Sequence, residues 1–226
     1  MKQHLILVAG GTGTRMQQPV AKQFILLKGR PLMWWTLQRF RDALGDDLEV
    51  VLVLHKSLVQ EFHDLESAHG PAGVNQLVSG GVERWHSVSN GLDALPDSGV
   101  VGIHDAVRPF VAETTISDCY ETARASGSAV PVVSVKDSIR EVHGAGSHAV
   151  TRERLRAVQT PQCFDIQLLK RAYGAGYREE FTDDASVFEY AGHPIHLVQG
   201  DHQNIKITTP EDLLVARAFV EGFAKD

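Results

Sequence analysis

The sequence predicts an α/β fold built around a mostly parallel sheet. Five short apolar, β-branched runs (Leu5–Ala9, Val50–Leu54, Val100–Ile103, Ala129–Val133 and Ile195–Val198) read as buried strands, with a weaker one near Leu77. Segments of helical period lie between them, so strand and helix alternate along the chain. The chain has 226 residues, 43% of them hydrophobic and 22% charged, which is enough for one substantial core. No Pro/Gly/Ser-rich linker divides it, so one domain over 1–226 is expected.

Taken in order, the first strand runs into a glycine-rich loop, and helices are expected at about 31–43, 57–67, 83–94, 113–126, 165–173, 184–191 and 210–221. Two helix starts carry specific signals. Ser57-x-x-Gln60 has the form of a capping box, and Thr209-Pro210-Glu211-Asp212 places a cap, an N1 proline and two acids where the helix dipole favours them. The polar stretch from Lys136 to Val158 breaks the alternation. Gly144-Ala145-Gly146 supplies a turn between two alternating segments, so 136–158 reads as a projecting hairpin. Two strands bury little by themselves, so this arm is expected to pack on a second subunit, the alternative being a solvated flap.

Composition excludes several classes. The longest apolar stretches span five residues, against roughly 18 or more for a membrane helix, and the first meets Gly10 before it reaches signal-peptide length. Cys119 and Cys163 stand alone, without metal-ligand spacing, which fits a reducing cytoplasm. A net charge of −6 argues against a nucleic-acid binder. Residues 1–41 nevertheless contain seven bases and no acid. That is either a positive field for a small polyanion or a solvated basic face.

The chemistry-bearing residues cluster at strand ends, where open α/β sheets bind ligands. Ala9-Gly10-Gly11-Thr12-Gly13-Thr14-Arg15 lets backbone N–H groups approach phosphate, yet it matches neither G-x-G-x-x-G nor the Gly-Lys-Ser/Thr of a P-loop. Arg15 and Lys22 follow at close range, placed to stabilise phosphoryl charge. Gly80-Gly81-Val82-Glu83-Arg84-Trp85-His86-Ser87 forms a second glycine turn, suited to hold a nucleobase. Asp105, in His104-Asp105-Ala106-Val107-Arg108-Pro109, is a candidate magnesium ligand, since that ion with a nucleotide needs only one or two carboxylates. A His-Asp hydrolase pair is the competing reading, but no G-x-S-x-G elbow accompanies it. Lys206, in Asn204-Ile205-Lys206-Ile207-Thr208, adds a cation before the last helix.

These motifs, with T-P-Q at Thr160 and T-D-D-A-S at Thr182, resemble in order and spacing the 2-C-methyl-D-erythritol 4-phosphate cytidylyltransferases over nearly the whole chain. The resemblance implies a three-layer Rossmann-like nucleotidyltransferase fold acting on CTP and a sugar-alcohol phosphate. It implies CTP contacts at Ala9, Gly10, Gly11, Gly81, Arg84 and Ser87, Mg²⁺ at Asp105, and phosphate stabilisation by Arg15, Lys22 and Lys206. It further implies acceptor contacts at Arg108 and Thr182, with Ser138, Arg152 and Thr160 on or beside an arm that reaches a partner in a homodimer. Two positions depart from the family: Gly10 stands where many members have Ala, and Val82 where many have an acid. Because Gly10 also occurs in the related ribitol 5-phosphate cytidylyltransferases, those are the alternative, and a non-catalytic nucleotide-sensing module is a third reading. The acceptor-side motif at Thr182 favours the methylerythritol branch. A phosphomonoester is largely dianionic at neutral pH, so its attack on the α-phosphorus of CTP needs cations rather than a general base.

Overall fold

The structure is a computed structural model that describes residues 2–10 and 20–223. The expected sites Gly11 and Arg15 therefore lie outside the described residues. In chain order the elements are β1 (Gln3–Ala9), β2 (Leu26–Leu27), β3 (Arg30–Pro31), α1 (Leu32–Leu44), β4 (Glu49–Leu54), α2 (Val59–His69), β5 (Gln76–Ser79), α3 (Arg84–Asp93), β6 (Val100–Asp105) and α4 (Glu113–Ser126). They continue with β7 (Ser128–Ser134), β8 (Ile139–His143), β9 (Gly146–Val150), β10 (Arg156–Val158), β11 (Gln162–Asp165), α5 (Ile166–Tyr173), α6 (Asp184–Tyr190), β12 (Leu197–Gln199) and α7 (Pro210–Phe223).

An eight-stranded sheet forms the middle layer. Its centre is β1, paired in parallel with β4 on one side and β6 on the other, and β5 extends the sheet in parallel beyond β4. Side chains alternate across this sheet with period two. Leu5, Leu7 and Ala9 enter a core with Met33, Leu37 and Phe40 of α1, Phe62 of α2 and Ile116 and Tyr120 of α4. Ile6, Val51 and Val53 face the other way, against Val88 and Leu92 of α3, Leu169 of α5 and Phe188 of α6. Each fully buried Leu, Ile or Phe contributes about 1.5–3 kcal/mol, so a one-residue slip of β1 would forfeit both faces at once. The result is the three-layer α/β arrangement that the alternation predicts.

Two strands, β10 and β11, depart from the parallel rule. β11 runs antiparallel between β6 and β7, with Phe164 opposite Val101 and Ser128. At four residues it is too short for periodicity to separate it from the start of α5. Glycine at position 102 of the adjoining β6 has a local reason. A Cβ there would lie 2.5 Å from the Tyr120 hydroxyl, which donates to the carbonyl of His4 at 2.7 Å and so seats α4 on the sheet.

The arm is shorter than the 136–158 hairpin expected from sequence. Only β8 and β9 form it, and they pair from Ile139–Val150 to His143–Gly146. Beyond a short 3-10 turn at Arg152–Arg154, β10 returns to the main sheet, pairing antiparallel with β7 through Val132 to Ser134. Three ladder pairs to a buried strand outweigh extension of an exposed two-stranded ribbon. The Ser57 capping box is also absent. The His55 ring accepts the Ser57 N–H, a 3-10 turn spans Lys56–Leu58, and α2 starts at Val59. The Thr209 start is as expected: Asp212 accepts from the N–H groups of Thr208 and Thr209, and Thr209 Oγ1 accepts from the Asp212 N–H.

Candidate active site

Parallel register brings the chemistry together. Val8 lies opposite Asp105, Ala9 opposite Leu54, and Leu54 opposite Ser79, so the carboxyl ends of β1, β6, β4 and β5 finish side by side. The chain leaves those ends as the glycine loop, the Asp105 turn and the Gly80–Glu83 turn. Between them is a cavity of about 290 Å³. Eight of the residues singled out from sequence line it: Ala9, Gly10, Lys22, Gly81, Arg84, Ser87, Asp105 and Lys206. Val82 and Glu83 join them, Val82 with its side chain 92% exposed.

The Gly80–Ser87 turn is held by one hydroxyl. Ser87 Oγ accepts the Gly81 N–H at 3.1 Å and donates to the Glu83 carbonyl at 3.2 Å. A Cβ on Gly81 would fall 2.3 Å from the Cβ of His86, so this turn admits no side chain at that position. At Gly10 a Cβ would meet Ser87 Oγ at 3.2 Å, a contact that small shifts relieve. Gly10 therefore belongs to the floor shared with the Ser87 turn.

Arg84, the first residue of α3, forms a two-pronged pair with Asp184 at the start of α6, at 2.9 and 2.5 Å. Asp184 is fully buried, and the Tyr173 hydroxyl donates to it at 2.7 Å. Burial opposes the Arg84 charge, but the adjacent Asp184 carboxylate outweighs burial and raises its pKa above the ordinary arginine value.

Asp105 is the electrostatic focus. Its Oδ2 receives Arg108 Nε at 3.0 Å and Lys206 Nζ at 3.1 Å. Burial alone would raise its pKa, but Lys206, then Arg108 and Arg84, hold it well below the carboxylate range. Behind it, Thr160 Oγ1 accepts the Asp105 N–H at 3.2 Å and contacts His104 Nδ1 at 3.0 Å, while His104 Nε2 lies 3.1 Å from the Arg108 carbonyl. A neutral ring protonated on Nε2 satisfies both contacts. Burial pushes the His104 pKa down to about 4. Both ring nitrogens are thus spent on positioning Asp105 and Arg108, which removes the His-Asp hydrolase reading.

The remaining candidates do not line the cavity. Arg108 and Thr160 contact Asp105 from outside its lining, Arg108 also donating to the Asn204 carbonyl at 2.8 Å. Thr182 is exposed beside a small cleft with Arg84, Trp85 and Asp183. Ser138 and Arg152 are exposed at the base of the arm, where Arg152 donates to the Lys136 carbonyl at 2.5 Å and lines a separate cleft with Ser134 and Arg156. Of the described N-terminal bases Lys22 lines the cavity, and several others are engaged elsewhere. Lys2 pairs with Glu49, Arg39 with Glu113, and Arg41 binds the carbonyls of Asp46, Leu48 and Gly73.

Several supporting residues stand in or beside the motifs above, where sequence alone gives them no role. Gln23 Nε2 donates to the Ala9 carbonyl at 3.1 Å, tying the exit of the glycine loop to β1. Buried Asn204 donates to the Thr160 carbonyl at 2.9 Å and so aligns the Lys206 segment with the Asp105 turn. Gln162 of β11 donates to the Asp183 carboxylate at 2.8 Å and accepts the Ala185 N–H at 2.9 Å. Single amides acquire such roles only when distant segments meet. His104 and Asp184 were visible as motif members, though without their partners.

Comparison with known proteins agrees with this geometry. A sequence model of the 2-C-methyl-D-erythritol 4-phosphate cytidylyltransferase family matches residues 3–222. The chain is 44% identical over 222 residues to the 2-C-methyl-D-erythritol 4-phosphate cytidylyltransferase of Bacteroides thetaiotaomicron, covering 97% of this chain and 100% of the relative. It is 42% identical to that of Halalkalibacterium halodurans, with 97% of each covered. Among solved structures, the 2-C-methyl-D-erythritol 4-phosphate cytidylyltransferase of Thermus thermophilus superposes with a TM-score of 0.76 at 34% identity, covering 96% of this chain and 98% of the other. The 4-diphosphocytidyl-2C-methyl-D-erythritol synthase of Anaerococcus prevotii superposes at 0.82 with 28% identity, covering 97% and 96%. With the match spanning both glycine turns, the Asp105 strand end and the Lys206 segment, the chain belongs to the 2-C-methyl-D-erythritol 4-phosphate cytidylyltransferase family.

Proposed function

We propose that the cavity transfers the cytidylyl group of CTP to 2-C-methyl-D-erythritol 4-phosphate, releasing pyrophosphate and 4-diphosphocytidyl-2-C-methyl-D-erythritol. The observation that carries this reading is the convergence of Lys206 and Arg108 on Asp105, in a cavity that also presents Lys22 and two glycine turns. Such a site stabilises charge on phosphoryl oxygens, and among the residues lining it no histidine is offered as a base. The dianionic acceptor phosphate attacks the α-phosphorus in line while Lys22, Lys206 and Arg15 offset the growing charge on the phosphates. Gly10, Gly81 and Ser87 form the nucleotide floor, with Arg84 oriented over it by Asp184, and Gly11, outside the described residues, takes a CTP contact by the family resemblance.

The residues present fit a magnesium ion. Asp105 keeps Oδ1 without a hydrogen-bond partner among the described residues, and one carboxylate with phosphate oxygens suffices. When bound there, magnesium supplies charge neutralisation to the triphosphate.

Arg108 and Thr182 take the acceptor side. Ser138 and Arg152 reach an acceptor from a second copy, which makes the protein a homodimer. Support comes from the arm, whose residues from Arg140 to Ala149 are all exposed in a single chain, including Val142 at 72%. No helix among the described residues is long and apolar enough to cross a membrane. The unpaired buried thiols of Cys119 and Cys163 suit cytoplasmic conditions. Gly10 packs on the nucleotide floor, so it does not favour a ribitol phosphate acceptor.

A pyrophosphate-release assay with CTP and Mg²⁺ tests the assignment. Release with methylerythritol phosphate at a higher kcat/KM than with ribitol 5-phosphate is expected. A clear ribitol preference overturns the acceptor, and CTP binding without release for either overturns catalysis.

A further inference from the structure

The arm carries a second cluster of ligand-type side chains, remote from the chemistry of the cavity. Antiparallel pairing of β8 and β9 sets Glu141 opposite His148 and His143 opposite Gly146. Alternation puts Glu141, His143 and His148 on one face of the ribbon, while Arg140 and Ser147 bond to each other on the opposite face. Because Gly146 has no side chain, the His143 ring is free to lean diagonally across the ribbon. It stacks on His148 with centroids 5.0 Å apart and planes 8° from parallel. Both rings aim Nε2 at the same carboxylate: His148 Nε2 is 3.1 Å from Glu141 Oε2, and His143 Nε2 is 3.5 Å from Glu141 Oε1. One donor atom from each of the three lies within 4.8 Å of the others.

We infer that Glu141, His143 and His148 form a binding site for a divalent transition-metal ion of the zinc class on one face of the arm, a face exposed in the single chain. For tetrahedral zinc with bonds of about 2.0–2.1 Å, pairs of ligand atoms sit about 3.3 Å apart. The two imidazole–carboxylate separations already bracket that distance, and all three donor atoms lie within 4.8 Å of one another, so the exposed side chains need only modest adjustment to close on an ion. Two imidazoles and one carboxylate suit zinc, nickel or copper, whereas magnesium prefers oxygen donors throughout, so this site and the Asp105 site select different ions. Three protein ligands leave a fourth position for water or for a donor from another chain. A bound ion links the two strands of a ribbon that buries little by itself, and it holds the arm in one register. Without a metal, the same three residues amount to cross-strand ion pairs on a solvated surface.

The test uses the whole protein, stripped with chelator and then titrated with Zn²⁺ by calorimetry, in parallel with His148→Ala, Glu141→Gln and the double variant His143→Ala/His148→Ala. All three positions are more than half exposed, so the variants keep the fold, and circular dichroism checks this. The wild type is expected to bind one zinc per chain that the double variant lacks. His148→Ala alone should bind at least about 10-fold more weakly, since even outer-shell losses cost 10–100-fold. Millimolar Mg²⁺ should not compete. Co²⁺ in place of zinc should give the intense visible absorption of a tetrahedral site in the wild type only. Zinc binding that is absent, unchanged in the double variant or displaced by Mg²⁺ would overturn the proposal. The remaining histidines are common to all the proteins, so the difference between them reports the arm alone.

Discussion

Asp184→Asn isolates the coupling between the two sides of the active site. The wild-type carboxylate is fully buried and accepts three charge-assisted or hydroxyl bonds, two from Arg84 at 2.9 and 2.5 Å and one from Tyr173 at 2.7 Å. Breaking a buried ion pair typically costs about 3–5 kcal/mol, because the surviving charge is left uncompensated. Here the Arg84 side chain is 30% exposed, so its guanidinium regains some water, and asparagine still accepts one bond. The expected loss is therefore lower, ~2–3 kcal/mol. With a urea m-value near 3 kcal/mol/M, the unfolding midpoint falls by about 0.8 M. Arg84 also loses its fixed orientation over the cavity, so KM for CTP should rise by more than KM for the acceptor. A double variant, Arg84→Met/Asp184→Leu, should recover much of the stability but not the CTP affinity. A midpoint change below about 0.2 M with unaltered CTP kinetics would refute the clamp, since a solvated surface pair behaves that way.

Gly81→Ala should raise KM for CTP at least tenfold with little loss of global stability, because its Cβ would collide with the Cβ of His86 and displace a half-buried turn; an unchanged KM in steady-state assays would show that the turn does not touch the nucleotide. Acid should weaken the protein through His104, whose folded pKa of about 4 lies below its ordinary 6.5. The unfolded chain takes up that proton first, so the stabilising contribution is complete above pH 6.5 and is lost as pH falls through 4. The loss between pH 7 and pH 5 is about 2 kcal/mol, and His104→Gln should flatten urea-derived stability across that window; an equal slope in both proteins excludes the residue. Mixing Arg152→Ala with Lys22→Ala subunits should restore activity if each site borrows Arg152 from its neighbour, and no recovery after verified subunit exchange counts against a shared site.

Much of this protein was legible in its sequence because the signals were local. Apolar β-branched runs separated by helical periods state an α/β sheet, and strand ends followed by glycine or aspartate mark where a ligand sits. Ala9, Gly10, Lys22, Gly81, Arg84, Ser87, Asp105 and Lys206 stand at or near those marks or were assigned by the family resemblance, and all eight line one cavity. What local signals missed were short elements and pairings between distant segments. β11 has four residues and runs against the sheet, β10 leaves the arm for β7, and His55 caps a 3-10 turn ahead of α2 where a Ser57 cap on the helix is expected.

The sequence by itself determined the layers, the strand ends and the inventory of cations available near them, since side-chain period and residue type are properties of neighbouring positions. Only the tertiary structure decided which groups meet: Arg84 with Asp184 across 100 residues, Arg108 and Lys206 on one oxygen of Asp105, and Thr160 under that carboxylate. Those contacts depend on strand register and on the desolvation that packing imposes. A buried carboxylate must find cations or a proton, and the fold settles which cations are within reach.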